Sequence, residues 1–162
     1  MTINAFTTCL WFDGQAQEAA DFYLSVFKDT DSELGRISRY TEAGPGEPGS
    51  VVTVEFTLNG QKFVGLNGGP EFTFNEAVSF QIECADQAEI DHYWSRLTEG
   101  GGEEIECGWL KDRFGVRWQV FPAVLLDMVT DPDPEKAARS TRAMLSMRKM
   151  DLAALKKAYD GE

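Results

Sequence analysis

Histidine is nearly absent from this 162-residue sequence, His92 being the only one, so no His-rich metal cluster can be built within one chain. Two chains would contribute only one each. Cysteine is scarce too: Cys9, Cys84 and Cys107 are odd in number, widely spaced and without a C-x-x-C pair, which argues against a disulfide framework and a thiolate zinc site alike. Free structural thiols are the expectation. Positive charge is in deficit, with 15 Lys and Arg against 27 Asp and Glu for a net charge of -12, a balance that repels a phosphate backbone instead of releasing its counterions. Nucleic acid is not an expected partner. No apolar run approaches the ~20 residues of a membrane helix. Met1-Thr2-Ile3-Asn4 carries neither the basic nor the greasy segment of a signal peptide, so a cytoplasmic location without a membrane partner is expected.

What is present is an ordinary globular composition, 43% apolar and 12% aromatic, far from that of a disordered tract. The length suits one domain-sized core without staples. Phe6 to Phe12 is a β-branched and aromatic run stopped by Asp13-Gly14; it reads as a strand buried on both faces and central in its sheet. Ala16, Ala19, Ala20, Tyr23 and Phe27 then recur at the spacing of one helix face, which predicts an amphipathic helix on a sheet. Ile37 to Tyr40 is a weaker strand, and residues 42 to 50 are a Gly- and Pro-rich loop. Val51 to Leu58 meets Gln61 to Leu66 across Asn59-Gly60, a pair suited to the positive φ of a two-residue hairpin turn.

The order of elements then starts again. Val78 to Cys84 predicts a strand, Ile90, Tyr93, Trp94 and Leu97 a helix ended by Gly100-Gly101-Gly102, and Glu103 to Trp109 and Val116 to Phe121 further strands around an Asp112 to Gly115 turn. Residues 3–67 and 78–122 thus read as a doubled βαβββ unit, an α+β fold produced by internal duplication. The expected division is a sheet domain over residues 1–130 and a C-terminal helical extension over 131–162. The extension opens on Asp131-Pro132-Asp133-Pro134, carries good helix formers from Glu135 to Met147, and has Asp151 as the cap of a last helix. Such short helices need a surface to pack on, and a partner subunit is the favoured one. Met144, Met147 and Met150 read as packing.

Several runs carry a family resemblance: Leu10-Trp11-Phe12-Asp13-Gly14 with Phe22-Tyr23, Leu66-Asn67-Gly68-Gly69-Pro70, Phe80-Gln81-Ile82, Cys107 to Asp112 leading into Gly115 to Val120, and the tail around Arg142 to Leu145 and Lys149 to Asp151. Over nearly the whole chain the sequence resembles the PhnB-like family, also labelled 3-demethylubiquinone-9 3-methyltransferase domain proteins. That family belongs to the vicinal oxygen chelate superfamily, with glyoxalase I, bleomycin resistance proteins and extradiol dioxygenases. The resemblance implies paired βαβββ modules curled around a ligand cavity. In the enzymes of the superfamily it also implies a divalent metal held from the first and last strands of each module.

At those positions the resemblance puts Thr8 in place of the first-strand histidine, Glu55 as the acidic residue of the first hairpin, Gln81 in the second histidine position with Phe80 as its rival, and Gln119 in the final acidic position. One charge and several neutral oxygens suit zinc or nickel poorly and offer calcium little, so no metal and no cofactor are expected. Glu55 alternates with Thr53 and Thr57 on one strand face while Val52, Val54 and Phe56 take the other. Glu55 is the best catalytic candidate, as a base or an anchor with its pKa raised by desolvation; a partly solvated structural carboxylate is the alternative.

The expected ligand-binding residues are Thr8, Leu10, Glu55, Thr57, Asn67, Gln81, Trp109 and Gln119, with Trp109 at the cavity mouth and Trp118 turned to the core. The methyltransferase label gains little from the residues. Asn67-Gly68-Gly69-Pro70 follows a strand but runs to proline, which reads as a turn and not as the Gly-rich cradle of a Rossmann-type S-adenosylmethionine site. His92 reads as a helix-surface residue remote from the cavity. The functional expectation is a metal-free, homodimeric protein that binds a small aromatic or amphipathic molecule. The alternatives are a superfamily lyase, isomerase or dioxygenase, or the methyltransferase of the label.

Overall fold

The structure is a computed structural model that describes residues 6–162; the expected start of the first module at residue 3 lies outside the described residues. The chain divides into two compact units, one ending at Phe74 and one running from Asn75 to Glu162. Each contains one four-stranded mixed sheet with a helix against it.

In the first unit the elements are β1 (Thr8–Phe12), α1 (Ala16–Val26), β2 (Glu33–Arg39), β3 (Val51–Leu58) and β4 (Gln61–Asn67). The sheet order is β1-β4-β3-β2, with β1 parallel to β4 and the other pairs antiparallel. The predicted hairpin is present: Leu58 faces Gln61, and Asn59 (φ 47) and Gly60 (φ 78) supply the two positive φ angles of the turn. One sheet face is apolar and packs on α1, where Ala16, Ala19, Ala20, Tyr23 and Val26 are buried against Leu10, Phe12, Val54, Phe56 and Phe63. Small alanines let the helix approach closely, and Gly65 completes the fit, since a Cβ there would meet the Ala16 methyl at 3.1 Å.

Two expectations for β1 fail. It lies at the edge of its sheet, not in the centre, and its burial alternates, Leu10 and Phe12 buried while Cys9 is exposed and Trp11 half-buried. An apolar run cannot by itself distinguish a strand covered on two faces from one whose open face carries a thiol and an indole.

The second unit repeats the pattern with β5 (Phe80–Cys84), α2 (Gln87–Thr98), β6 (Glu103–Glu104), β7 (Trp109–Lys111) and β8 (Arg117–Pro122), in sheet order β5-β8-β7-β6. Strand for strand this is the topology of the first unit, so the doubled βαβββ reading holds. The strand expected from Glu103 to Trp109 is broken, because Cys107 (φ 58) and Gly108 (φ 78) take left-handed conformations between β6 and β7. Asp86 caps α2 by accepting the Glu89 N–H at 3.0 Å. The buried Asp112 holds its turn by accepting from the N–H groups of Phe114 and Val116 and from the Trp118 indole.

The tail contains α3 (Leu125–Val129), α4 (Pro134–Leu145) and α5 (Leu152–Asp160). Asp133 and Asp151 cap α4 and α5. Within the chain the tail packs on its own unit, which supplies the surface expected from a partner. The N–H groups of Cys107 and Gly108 donate to the carbonyls of Met147 and Arg148, both at 2.8 Å. The Gln87 carboxamide donates to the Met150 carbonyl and accepts the Leu152 N–H. Met150 and Leu155 end fully buried.

Candidate functional site

Residues directly opposite on neighbouring strands share a sheet face, so the register decides which candidate side chains can meet. In the first unit Glu55 faces Val64, and Val64 faces Cys9. The row Cys9–Val64–Glu55 therefore lies on the face turned away from α1, joined by Thr57 and Thr53. Thr8 and Leu10 lie on the opposite, helix-facing side: Thr8 stands beside the buried Phe63, and Leu10 is itself buried. Thr8 and Leu10 are thus one residue out of step with the face that carries Glu55, and Cys9 is the β1 residue in its row. Glu55 stands on β3, the third strand of its module; the last-strand position is held by Val64.

A cavity of about 450 Å³ on this face is lined by Glu33, Glu55, Thr57, Lys62, Val64 and Thr7 among others. Opposite Glu55 the pairing is irregular, with three steps of β2 from Leu34 to Ile37 matching two of β3. Gly35 sits within 3.0 Å of Glu55 as a Cβ would measure it, so the bulge leaves the carboxylate uncovered. Glu55 is exposed, not the desolvated group expected of a tuned base. Burial raises the Cys9 thiol above its ordinary pKa.

Asn67, expected among the ligand-binding residues, has its carboxamide engaged by the backbone. Its Oδ1 accepts the N–H of Ala16 at 2.8 Å and its Nδ2 donates to the Val51 carbonyl at 3.1 Å, so it caps α1 from across the sheet. No cap from the helix's own sequence does this.

In the second unit the expected residues do come together. Gln81 faces Gln119, and Gln119 faces Trp109, on the side away from α2. Phe80, the rival for the Gln81 position, is on the other face, its ring 5.3 Å from that of Trp118, and Trp118 is buried as expected. The Gln81 carboxamide donates to Gln119 Oε1 at 3.4 Å, and Gln119 Nε2 donates to Ser79 Oγ at 2.8 Å. Lys111 and Arg117 form the neighbouring row on the same face. Sequence reading passed over these two cations, although Arg117 and Gln119 are two apart on one strand and so share its parity.

The first- and last-strand positions thus hold Cys9 and Val64 in one unit and Gln81 and Gln119 in the other. A thiol, an isopropyl group and two carboxamides do not suit zinc, nickel or manganese. Among the described residues no group of three or more His, Cys, Asp or Glu could hold a metal ion. A Gly-rich cofactor cradle is equally ill-matched. The Trp11 indole donates to the Gly69 carbonyl at 2.8 Å, and a Cβ on Gly68 would fall 2.2 Å from the indole ring. The glycines seat an indole. His92 lies on α2 with its ring edge-on to Tyr93.

Comparison with known proteins agrees with this architecture. The family described as 3-demethylubiquinone-9 3-methyltransferase matches residues 4–121. A solved PhnB protein from Bacillus cereus, provisionally named 3-demethylubiquinone-9 3-methyltransferase, is 39% identical, with a TM-score of 0.66 over 74% of this chain and 100% of that one. A Pseudomonas aeruginosa protein is similar in fold at 18% identity and a TM-score of 0.60, over 73% of this chain and 96% of its own. So is the fosfomycin resistance protein FosX from Listeria monocytogenes, complexed with Mn(II) and sulfate, at 16% identity and a TM-score of 0.52, over 75% and 93%. No curated protein matches significantly. The family match stops at residue 121, short of the tail that the sequence reading had included. With most of its length matched, the chain belongs to the 3-demethylubiquinone-9 3-methyltransferase family, PhnB-like proteins of the vicinal oxygen chelate fold.

Proposed function

We propose that this protein binds a small molecule, without a metal ion, on the sheet faces turned away from its helices. The observation that carries the reading is the row Trp109–Gln119–Gln81 on the face turned away from α2: an indole beside two carboxamides, Gln81 donating to Gln119 and Gln119 to Ser79. Carboxamides offer both donors and acceptors, and an indole adds a flat apolar surface; together they fix the orientation of a polar aromatic ligand. Metal-dependent chemistry would need donors that the equivalent rows lack.

Native mass spectrometry of freshly purified protein tests this directly. A retained organic mass without a transition metal is the expected result. Stoichiometric Zn, Ni, Fe or Mn surviving dialysis overturns it, and a melting temperature that climbs with S-adenosylmethionine revives the methyltransferase.

A second reading, an enzyme with Glu55 as base or anchor, is favoured by the bulge that keeps its carboxylate open. Turnover abolished by Glu55→Gln in a still-folded protein would establish it. The homodimer is retained from the family resemblance, and the exposed Val124, Leu126 and Leu145 of the tail support it. A monomeric mass in solution at micromolar concentration would remove it. No helix among the described residues is long and apolar enough to cross a membrane, and a cytoplasmic location is the setting in which three unpaired thiols stay reduced.

A further inference from the structure

The second sheet's open face holds an ion pair whose two partners are unequal. Arg117 stands opposite Lys111, one row from Gln119, and its side chain is only 11% exposed. Its Nη1 donates to the Gly115 carbonyl at 2.6 Å, while Nε and Nη2 both donate to the same oxygen, Oε1 of Glu76, at 2.9 and 2.7 Å. Glu76 is 64% exposed and belongs to the irregular segment before β5. The guanidinium is part of the wall, whereas its counter-ion reaches in from solvent and uses one oxygen.

Lys111, paired with Glu103 of β6, also acts on the Glu76 carboxylate, which both cations hold below its ordinary pKa, the Arg117 hydrogen bonds contributing most. A carboxylate reached from solvent can be exchanged for another anion, because the replacement leaves the enclosed guanidinium paired throughout. An incoming anion with two free oxygens can make the forked, two-oxygen pair with guanidinium that Glu76 does not make. Gln119, which donates to Ser79, lies one row from Arg117, and Trp109 lies in the same row as Gln119.

We propose that Glu76 stands in for the acidic head group of a ligand, and that Arg117, flanked by Lys111, Ser79 and Gln119, recognises a carboxylate or phosphonate that displaces it. The ligand class is then a small organic acid with a flat apolar body for Trp109. This inference rests on the reading that the open sheet face receives the ligand.

Calorimetric titration of the full-length protein with phenylphosphonate, benzoate and benzyl alcohol separates the two. The expected result is binding of at least one acid in preference to the alcohol, tightening by about threefold or more in Glu76→Gln, where the competing charge is gone. Arg117→Lys, which keeps the charge but loses the fork, should weaken it by about tenfold. Circular dichroism confirms that both variants remain folded. Equal affinity for acids and alcohol, or acid binding unchanged or weakened in Glu76→Gln, overturns the anion site. Alcohol and acids binding equally, with a change in Trp109 fluorescence lost in Trp109→Phe, would defeat it while sparing the open-face reading. If none of the probes binds, the anion site falls, while native mass spectrometry still decides the broader reading.

Discussion

Asn67, the last residue of β4, accepts the backbone N–H of Ala16, 51 positions earlier, at 2.8 Å. A helix start without a cap of its own is thereby closed by the sheet on which it packs. Replacing Asn67 with Ala removes the acceptor and also the donor to Val51, leaving two part-buried backbone groups unanswered. The expected loss is about 1–2 kcal/mol, read as a lower urea midpoint with an unchanged slope. Ligand binding at the second sheet should survive.

Gly108 should tolerate no side chain. Its φ is +78, and a Cβ would lie 2.7 Å from the Val120 carbonyl oxygen and 3.2 Å from Met150, so Gly108→Ala meets strain and a clash together. A loss of at least about 1–2 kcal/mol is expected. Hydrogen exchange should show α5 opening first, because the Gly108 N–H also holds the tail at Arg148.

Acid should loosen the tail. Asp91 is held below the usual carboxylate value of 3.8, first by its hydrogen bond to Lys149 and then by Gln87, and Asp131 likewise, first by Tyr159. Carboxyl groups depressed in the folded state stabilise it fully above their unfolded value, and the contribution disappears as pH falls through the folded value. Protection factors in α5, exchange rates taken relative to the intrinsic rate at each pH, should therefore fall below about pH 4, and Asp91→Asn combined with Tyr159→Phe should flatten that acid limb.

Thiol labelling should rank the cysteines by burial. Cys84 is fully buried, and desolvation, with smaller contributions from Glu89 and Asp86, pushes its thiol up to about 12; it should remain unlabelled at pH 8 until the protein unfolds. Cys9 is on the open face but also raised by desolvation, so it should react before Cys84 yet more slowly than a free thiol. Rapid native labelling of Cys84 would contradict its place under α2.

Much of the fold was legible because its signals are local. Asn59-Gly60 fixes a hairpin through backbone conformation alone, and the spacing from Ala16 to Phe27 allows one helix face. The site was less legible because it depends on parity across strands. Gln81 and Gln119 came out together, the bulky Phe80 and Trp118 marking the core side. Thr8 was placed by resemblance alone, without such a marker, and it lies with Leu10 on the face turned toward α1. The capping role of Asn67 was illegible for another reason: nothing near it in the sequence says that a distant N–H will claim its side chain. Glu55 kept its expected face and its expected strand, Val51 to Leu58; that this strand is the third of its module, with Val64 beside it on the last, shows only in the register.

The matching registers of the two sheets give the molecule an internal control. Because Val64 in one half occupies the place of Gln119 in the other, swapping them separates what a residue does from what its position does. An effect that travels with the carboxamide belongs to chemistry, and one that stays with the location belongs to the scaffold.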